Sequence, residues 1–366
     1  MNGARRLTQA RRESFVLAIV AGIACLAGGY RNPVQFFHSY LFGYMAWLGV
    51  AIGCLTFWLL GNLVGGAWSR ATQPVLQAGS MTIPALAVFF LPILFNLKRI
   101  YPWMDAVVAH QGLSAHQYAY FNPYFFGARA VLYFAIWCIL AMTLHERTSR
   151  RFLPVPRSRG LGAAGLILVV ISLTWAMIDW IMSLEPHWSS SIYGALLLIG
   201  DALSALAFTI ILVNWRRRLD APGSDLAEDT IHDLGKLLLA FTILWTYMAL
   251  SQFLIIWSAN LPEEIGWYIV RKQGGWLAVA VFIILFLFAV PFLLLLSRPR
   301  KKDFSRLVRV AALIFGVRIV ELYWLIAPDF SPTRCSIHPL DIAMPLALGG
   351  LWMAHFLGRL QKVDAR

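Results

Sequence analysis

The chain has 366 residues, of which 59% are hydrophobic and only 13% charged, with a net charge of +13. A soluble domain carries roughly 25% charged residues, so this composition excludes an ordinary soluble fold and specifies an integral membrane protein. The excess of Lys and Arg is spread over separate short loops, which argues for topology and anionic-lipid contact and against nucleic acid.

A spanning helix needs about 20 apolar residues. Runs of that order fall at 15–29, 40–63, 75–97, 124–144, 161–184, 192–215, 234–258, 276–296, 307–327 and 340–357. The expectation is an all-α integral membrane protein with about ten transmembrane helices, a single polytopic domain over residues 1–366. A short basic arm (about 1–13) precedes it and a short tail (about 358–366) follows. The first run has the basic start and small residues of a secretory signal, but reads better as an anchor. The second and third runs lead into the longest loop, 98–122, rich in aromatics and suited either to an interfacial helix or docking surface, or to an aromatic belt. Pro84, Pro92, Pro291 and Pro345 lie inside runs and predict kinks. The loop 219–233 is acidic and polar, and Lys236 after it reads as a snorkelling residue.

Most of the 31 Lys and Arg fall in the N-terminal arm, the tail and alternate loops. The positive-inside rule then places both termini in the cytoplasm. Cys25, Cys54 and Cys138 lie in apolar runs and Cys335 in a loop, with no CxxC or CxxCH spacing. A cysteine-ligated metal, an iron–sulfur cluster or covalent haem is therefore not expected. The histidines sit near run ends or in loops, without the spacing that stacks haem ligands on one helix face.

The chemistry is carried by polar groups inside the runs, where an ion is costly. Asp179 follows a charge-free stretch of the fifth run, which Glu185 and His187 end. Asp201 lies in the sixth run with Ser204 one turn on. Gln252 and Asn260 occupy the seventh, followed by Glu263 and Glu264. Arg318 and Glu321 are three apart on the ninth, so they share a face. Asp341 opens the tenth, and Arg129 lies two turns into the fourth. In one reading these groups meet in a hydrated pocket on the outer side and exchange protons. In the other they are interhelical contacts that fix packing. A secondary transporter is a further alternative, though no repeated halves are evident.

Four stretches carry a resemblance: FNPYFFGARAVLYF (Phe121–Phe134), DWIMSLEPHWSSSIYG (Asp179–Gly194), DLGKLLLAFTILWTYMALSQFLIIWSANLPEEIGWY (Asp233–Tyr268) and VRIVELYWLIAP (Val317–Pro328). They resemble ActF, the second NrfD-like membrane subunit of alternative complex III, a quinol-oxidising respiratory complex. The resemblance implies two four-helix bundles with flanking first and last helices. It also implies periplasmic multihaem cytochrome c and iron–sulfur subunits, a sister NrfD-like subunit, smaller anchors and a terminal oxidase as partners. It implies a subunit without covalently bound cofactor, with quinone or quinol as the relevant small molecule, and a role in proton conduction and assembly. Residues matching the family's polar motifs are Arg129, Asp179, Glu185, His187, Lys236, Gln252, Asn260, Glu263, Glu264 and Arg318. Asp201, Glu321 and Asp341 rest on the reading of the residues themselves.

Overall fold

A computed structural model describes residues 2–109, 114–149, 159–219, 221 and 226–365. His110 in the 98–122 loop, Arg150, Arg151 and Arg157 among the basic loop residues, Arg366 in the tail and part of the 219–233 loop lie outside the described residues. Every regular element among the described residues is helical. Ten helices are long and apolar enough to cross a membrane: Arg5–Arg31, Pro33–Val64, Ala67–Leu94, Pro123–Arg147, Arg159–Leu184, Tyr193–Arg217, Glu228–Ala259, Trp276–Leu296, Phe304–Phe330 and Pro339–Asp364. They coincide with the ten apolar runs and are called the first to tenth spans. The chain is a multi-pass membrane protein.

The second and sixth spans form the hub. The second packs on the third, fifth, sixth and tenth, and the sixth also on the fifth, seventh and ninth. The first span lies along the tenth, which in turn packs on the second and third. Lipid provides no hydrophobic drive between helices, so close backbone approach through small residues supplies the packing. Gly49 and Gly53, four apart on the second span, do this against the sixth. A Cβ at Gly53 would strike the carbonyl oxygen of Asp201, and one at Gly49 its carboxylate. Gly350 likewise brings the tenth span onto the Ser14–Ala18 turn of the first.

The expected N-terminal arm and tail are themselves helical. The first helix starts at Asn2 and the last runs to Asp364. The two are tied by a Gln361–Thr8 hydrogen bond of 3.2 Å.

The prolines act differently from one another. The third span breaks at Met81–Thr82 and again at Phe90, each time just before a proline at the second position of the next helix, Pro84 or Pro92. The first break is stabilised by Thr82, whose hydroxyl donates to Gly79 O and accepts from Trp352 Nε1 at 2.8 Å. In the eighth span the helix widens over Ile284–Ala289, directly ahead of Pro291, as a missing N–H donor requires. Pro345 produces no break: the tenth helix continues through it, and its carbonyl accepts from Trp47 Nε1 at 2.8 Å.

The 98–122 loop turns its aromatics inward. Tyr101 and Trp103 are fully buried. Tyr101 donates its hydroxyl to Trp180 O at 3.1 Å, and Trp103 stacks on Phe121. Short helices at Trp103–Ala109 and Ala115–Tyr120, the latter with a Ser114–Gln117 capping box, close this end of the fourth and fifth spans. The described parts of the segment thus cover those helix ends, with Tyr101 and Trp103 packed inward.

Replacing Gly53 by Ala is expected to cost about 1–3 kcal/mol through overpacking, read as a lower midpoint of heat-induced aggregation in detergent. Gly22→Ala and Gly316→Ala, whose added Cβ atoms meet nothing within 4 Å, should leave that midpoint unchanged.

Candidate functional site

Charges inside the spans fall into separate clusters. The first joins the fourth and fifth spans. Arg129 donates Nε to Asp179 Oδ2 and Nη2 to Oδ1, both at 2.8 Å. Tyr133 donates to Oδ2 at 2.8 Å and Tyr120 to Oδ1 at 2.6 Å. Arg129 also donates Nη1 to Tyr120 O, and its guanidinium lies over the rings of Tyr120 and Phe125. Burial first, then the Asp179 charge and hydrogen bond, push the Tyr120 phenol above its ordinary value, so it stays a donor. A carboxylate has about four acceptor sites, and those of Asp179 are all taken. A proton could be added only by displacing a partner. Asp179, 1% exposed, is therefore an anchor between two helices and the segment that covers their ends.

The second cluster joins the sixth, seventh and ninth spans. Arg318 Nη1 contacts Glu321 Oε2 one turn on, Arg318 Nε donates to Ser204 Oγ at 3.2 Å, and Arg318 Nη2 lies 3.9 Å from Asp201 Oδ1. Trp245 Nε1 donates to Glu321 Oε1 at 2.9 Å. Gly200 makes the arrangement fit, since a Cβ there would collide with the Arg318 guanidinium. Asp201 is buried, yet its carboxylate receives no direct hydrogen bond from the described residues; its one charged partner is the long contact to Arg318. Beside Asp201, Ser204 and Arg318 is a cavity of about 20 Å³, room for about one water.

Asp341 belongs to a third cluster. It accepts from Ser39 Oγ at 2.6 Å and Gln35 Nε2 at 3.0 Å on the second span, from Tyr323 on the ninth at 3.1 Å, and from its own cap residue, His338 N, at 2.9 Å. Every acceptor site is again used, here to tie three spans and cap a helix. The expectation of one shared pocket is thus corrected. Arg129 and Asp179 face each other, Asp341 faces the second span, and only Asp201, Arg318 and Glu321 come together.

The remaining residues separate further. Lys236 is exposed and paired with Asp233 at 3.0 Å. Asn260 takes the left-handed conformation (φ 49°) that ends the seventh helix. His187 and Glu263 are exposed, while Glu185 and Glu264 are half-buried; Glu264 O accepts from Trp188 Nε1 at 3.1 Å. Gln252 is buried on the seventh span.

Two buried ion pairs escaped the sequence reading. Arg271, in the connection between the seventh and eighth spans, donates Nη2 to Asp329 Oδ1 at 2.8 Å and to Leu325 O at 2.7 Å, with its guanidinium 3.6 Å above the Trp267 ring. Arg216 pairs with Asp364 and ties the sixth span to the end of the tenth. Arg271 and Arg216 read as loop charges because they sit at run ends. The signal for the first pair was Asp329, one more carboxylate within the ninth span.

Among the described residues, no group of three or more His, Cys, Asp or Glu is placed to hold a metal ion. No protein-family model matches the chain, and comparison with curated proteins gives no match.

Removing one member of the Arg129–Asp179 pair should destabilise by about 3–5 kcal/mol, because it strands a buried charge. In thermal melts of the purified protein, Arg129→Met and Asp179→Leu should each be strongly destabilised and the double variant less than the sum of the two.

Proposed function

We propose that this chain is a membrane subunit of a quinol-oxidising respiratory complex of the alternative complex III type, and that its Asp201–Arg318–Glu321 triad handles protons. In this reading it lies in the bacterial cytoplasmic membrane with both termini cytoplasmic and carries no covalently bound cofactor. It works beside a sister NrfD-like subunit and periplasmic multihaem cytochrome c and iron–sulfur subunits. Ten spanning helices, with the first and last lying against each other, support the NrfD-like reading.

The observation that carries the proton assignment is the state of Asp201. Asp179 and Asp341 are saturated with donors, whereas Asp201 has only the 3.9 Å contact with Arg318 and a cavity fit for about one water beside it. Two carboxylates share one guanidinium. With both ionised the triad is net negative in a medium that penalises net charge. A proton on either carboxylate leaves it neutral, and Arg318 can lean toward whichever stays ionised. Such a pair can hold one proton. Glu321, held by Trp245, faces the seventh and eighth spans, and Asp201 faces the second, so the proton can be passed across the ninth span.

A second reading, an assembly scaffold, is favoured by the saturated Arg129–Asp179, Arg271–Asp329 and Asp341 clusters, which bind helices and loops together. The two readings part at the triad.

In the complex isolated in mild detergent and reconstituted in vesicles, Asp201→Asn should leave co-purifying haem subunits in place and slow proton uptake by about 10²-fold. Lys236→Ala should change neither. Normal proton uptake in both Asp201→Asn and Glu321→Gln would remove the triad from the path, and a solitary chain with no haem-staining partner would remove the respiratory assignment.

A further inference from the structure

Between the seventh and eighth spans, with the ninth as its floor, lies a cleft of about 500 Å³. Its walls are apolar and aromatic: Trp245, Trp267, Tyr268, Trp324 and Ala249 line it with the edge of Glu321. Leu250 and Ile284 at its margin are more than half exposed, so it opens toward hydrocarbon. One lining residue has no account in the packing. Gln252 is 1% exposed, and neither its Nε2 nor its Oε1 makes a hydrogen bond. An amide so placed costs free energy unless something pairs with it. The Tyr268 hydroxyl interacts with the Gln252 side chain, short of a full hydrogen bond. Burial pushes that phenol up to about 12, so it is a donor at neutral pH.

We infer that this cleft binds the ring of an isoprenoid quinone or quinol, with Gln252 and Tyr268 as the polar contacts for its oxygens and the tail leaving between the seventh and eighth spans. Gln252 lies seven residues from the end of its helix, about 10 Å at 1.5 Å per residue. A phosphate head at that depth would bring a charge into hydrocarbon. The charge of Arg271 is already met by Asp329 and two carbonyls, and the other lining cation, Lys272, is exposed, so the amide rather than a free charge is what the buried part of the cleft offers. A neutral ring oxygen that both accepts and donates suits an amide, and flat aromatic walls suit a planar ring. Glu321 joins this cleft to Arg318 and Asp201, so the site meets the triad at one carboxylate. The inference deepens the function proposed above and rests on it for the identity of the ligand, while the cleft and the unpaired amide stand on geometry alone.

The test uses the full chain in nanodiscs of phosphatidylcholine freed of quinone, titrated with decylubiquinone and, separately, with a short-tailed naphthoquinone, while tryptophan fluorescence is read. At least one should quench saturably. Gln252→Leu, which removes the amide, and Ala249→Phe, which fills the cleft, should each weaken that binding by about tenfold or more with the melting midpoint unchanged. Should Gln252→Leu fail to fold, Ala280→Phe on the opposite wall serves in its place. Quenching by both quinones that never saturates, or saturation unaltered in the variants, would overturn the site. So would native mass spectrometry showing a retained phospholipid that neither quinone displaces, which would assign the cleft to lipid. This titration needs no partner subunit, so its failure is separable from loss of the haem partners or of proton uptake.

Discussion

Charge in hydrocarbon must be compensated within the protein, and this constraint organises the molecule. Water cannot pay for an ion at membrane depth, so a guanidinium or carboxylate persists there only with a partner held in place. Each buried arginine of the described core obeys it. Arg129 meets Asp179, Arg216 meets Asp364, Arg271 meets Asp329, and Arg318 meets Glu321 and, at longer range, Asp201. Each pair connects elements far apart in the chain or steadies one on the ninth span. The polar groups therefore act as fasteners first, and chemistry is left to whichever cluster is incompletely fastened.

By that criterion the clusters differ in kind. The carboxylates of Asp179 and Asp341 are filled by four donors each, and both rigidify helix contacts. The triad has an excess carboxylate and a small cavity beside Asp201 and Arg318, where the second, sixth and ninth spans meet. It also borders the lipid-facing cleft through Glu321. An incompletely satisfied ion cluster next to an unpaired buried amide is an expensive arrangement for packing alone, which is why function is placed there.

Much of the fold is legible in the residues. Ten apolar runs of spanning length give ten spans, because hydrocarbon admits only helices whose backbone bonds are made internally. Pro84 and Pro92 mark the breaks of the third span and Pro291 the widened turn of the eighth, since each lacks a donor. Pro345 shows the limit: the tenth helix continues through it, so a proline in an apolar run does not by itself place a break. That Gly49 and Gly53 lie at the close crossing of the second and sixth spans was shown only by the structure.

The site was legible only in part. Sequence marked Arg129, Asp179, Asp201, Arg318, Glu321 and Asp341 as charges within apolar runs, and it placed Arg318 and Glu321 together because three residues is nearly one helical turn. Partners on different spans were decided by tertiary structure. Arg129 with Asp179, Asp341 with Ser39, and Asp201 opposite Arg318 depend on helix rotation and depth, which small residues at the crossings set and which no local pattern encodes. For the same reason Arg271 and Arg216, which stand at run ends like solvated loop charges, become buried partners only once the ninth and tenth spans are packed beside them.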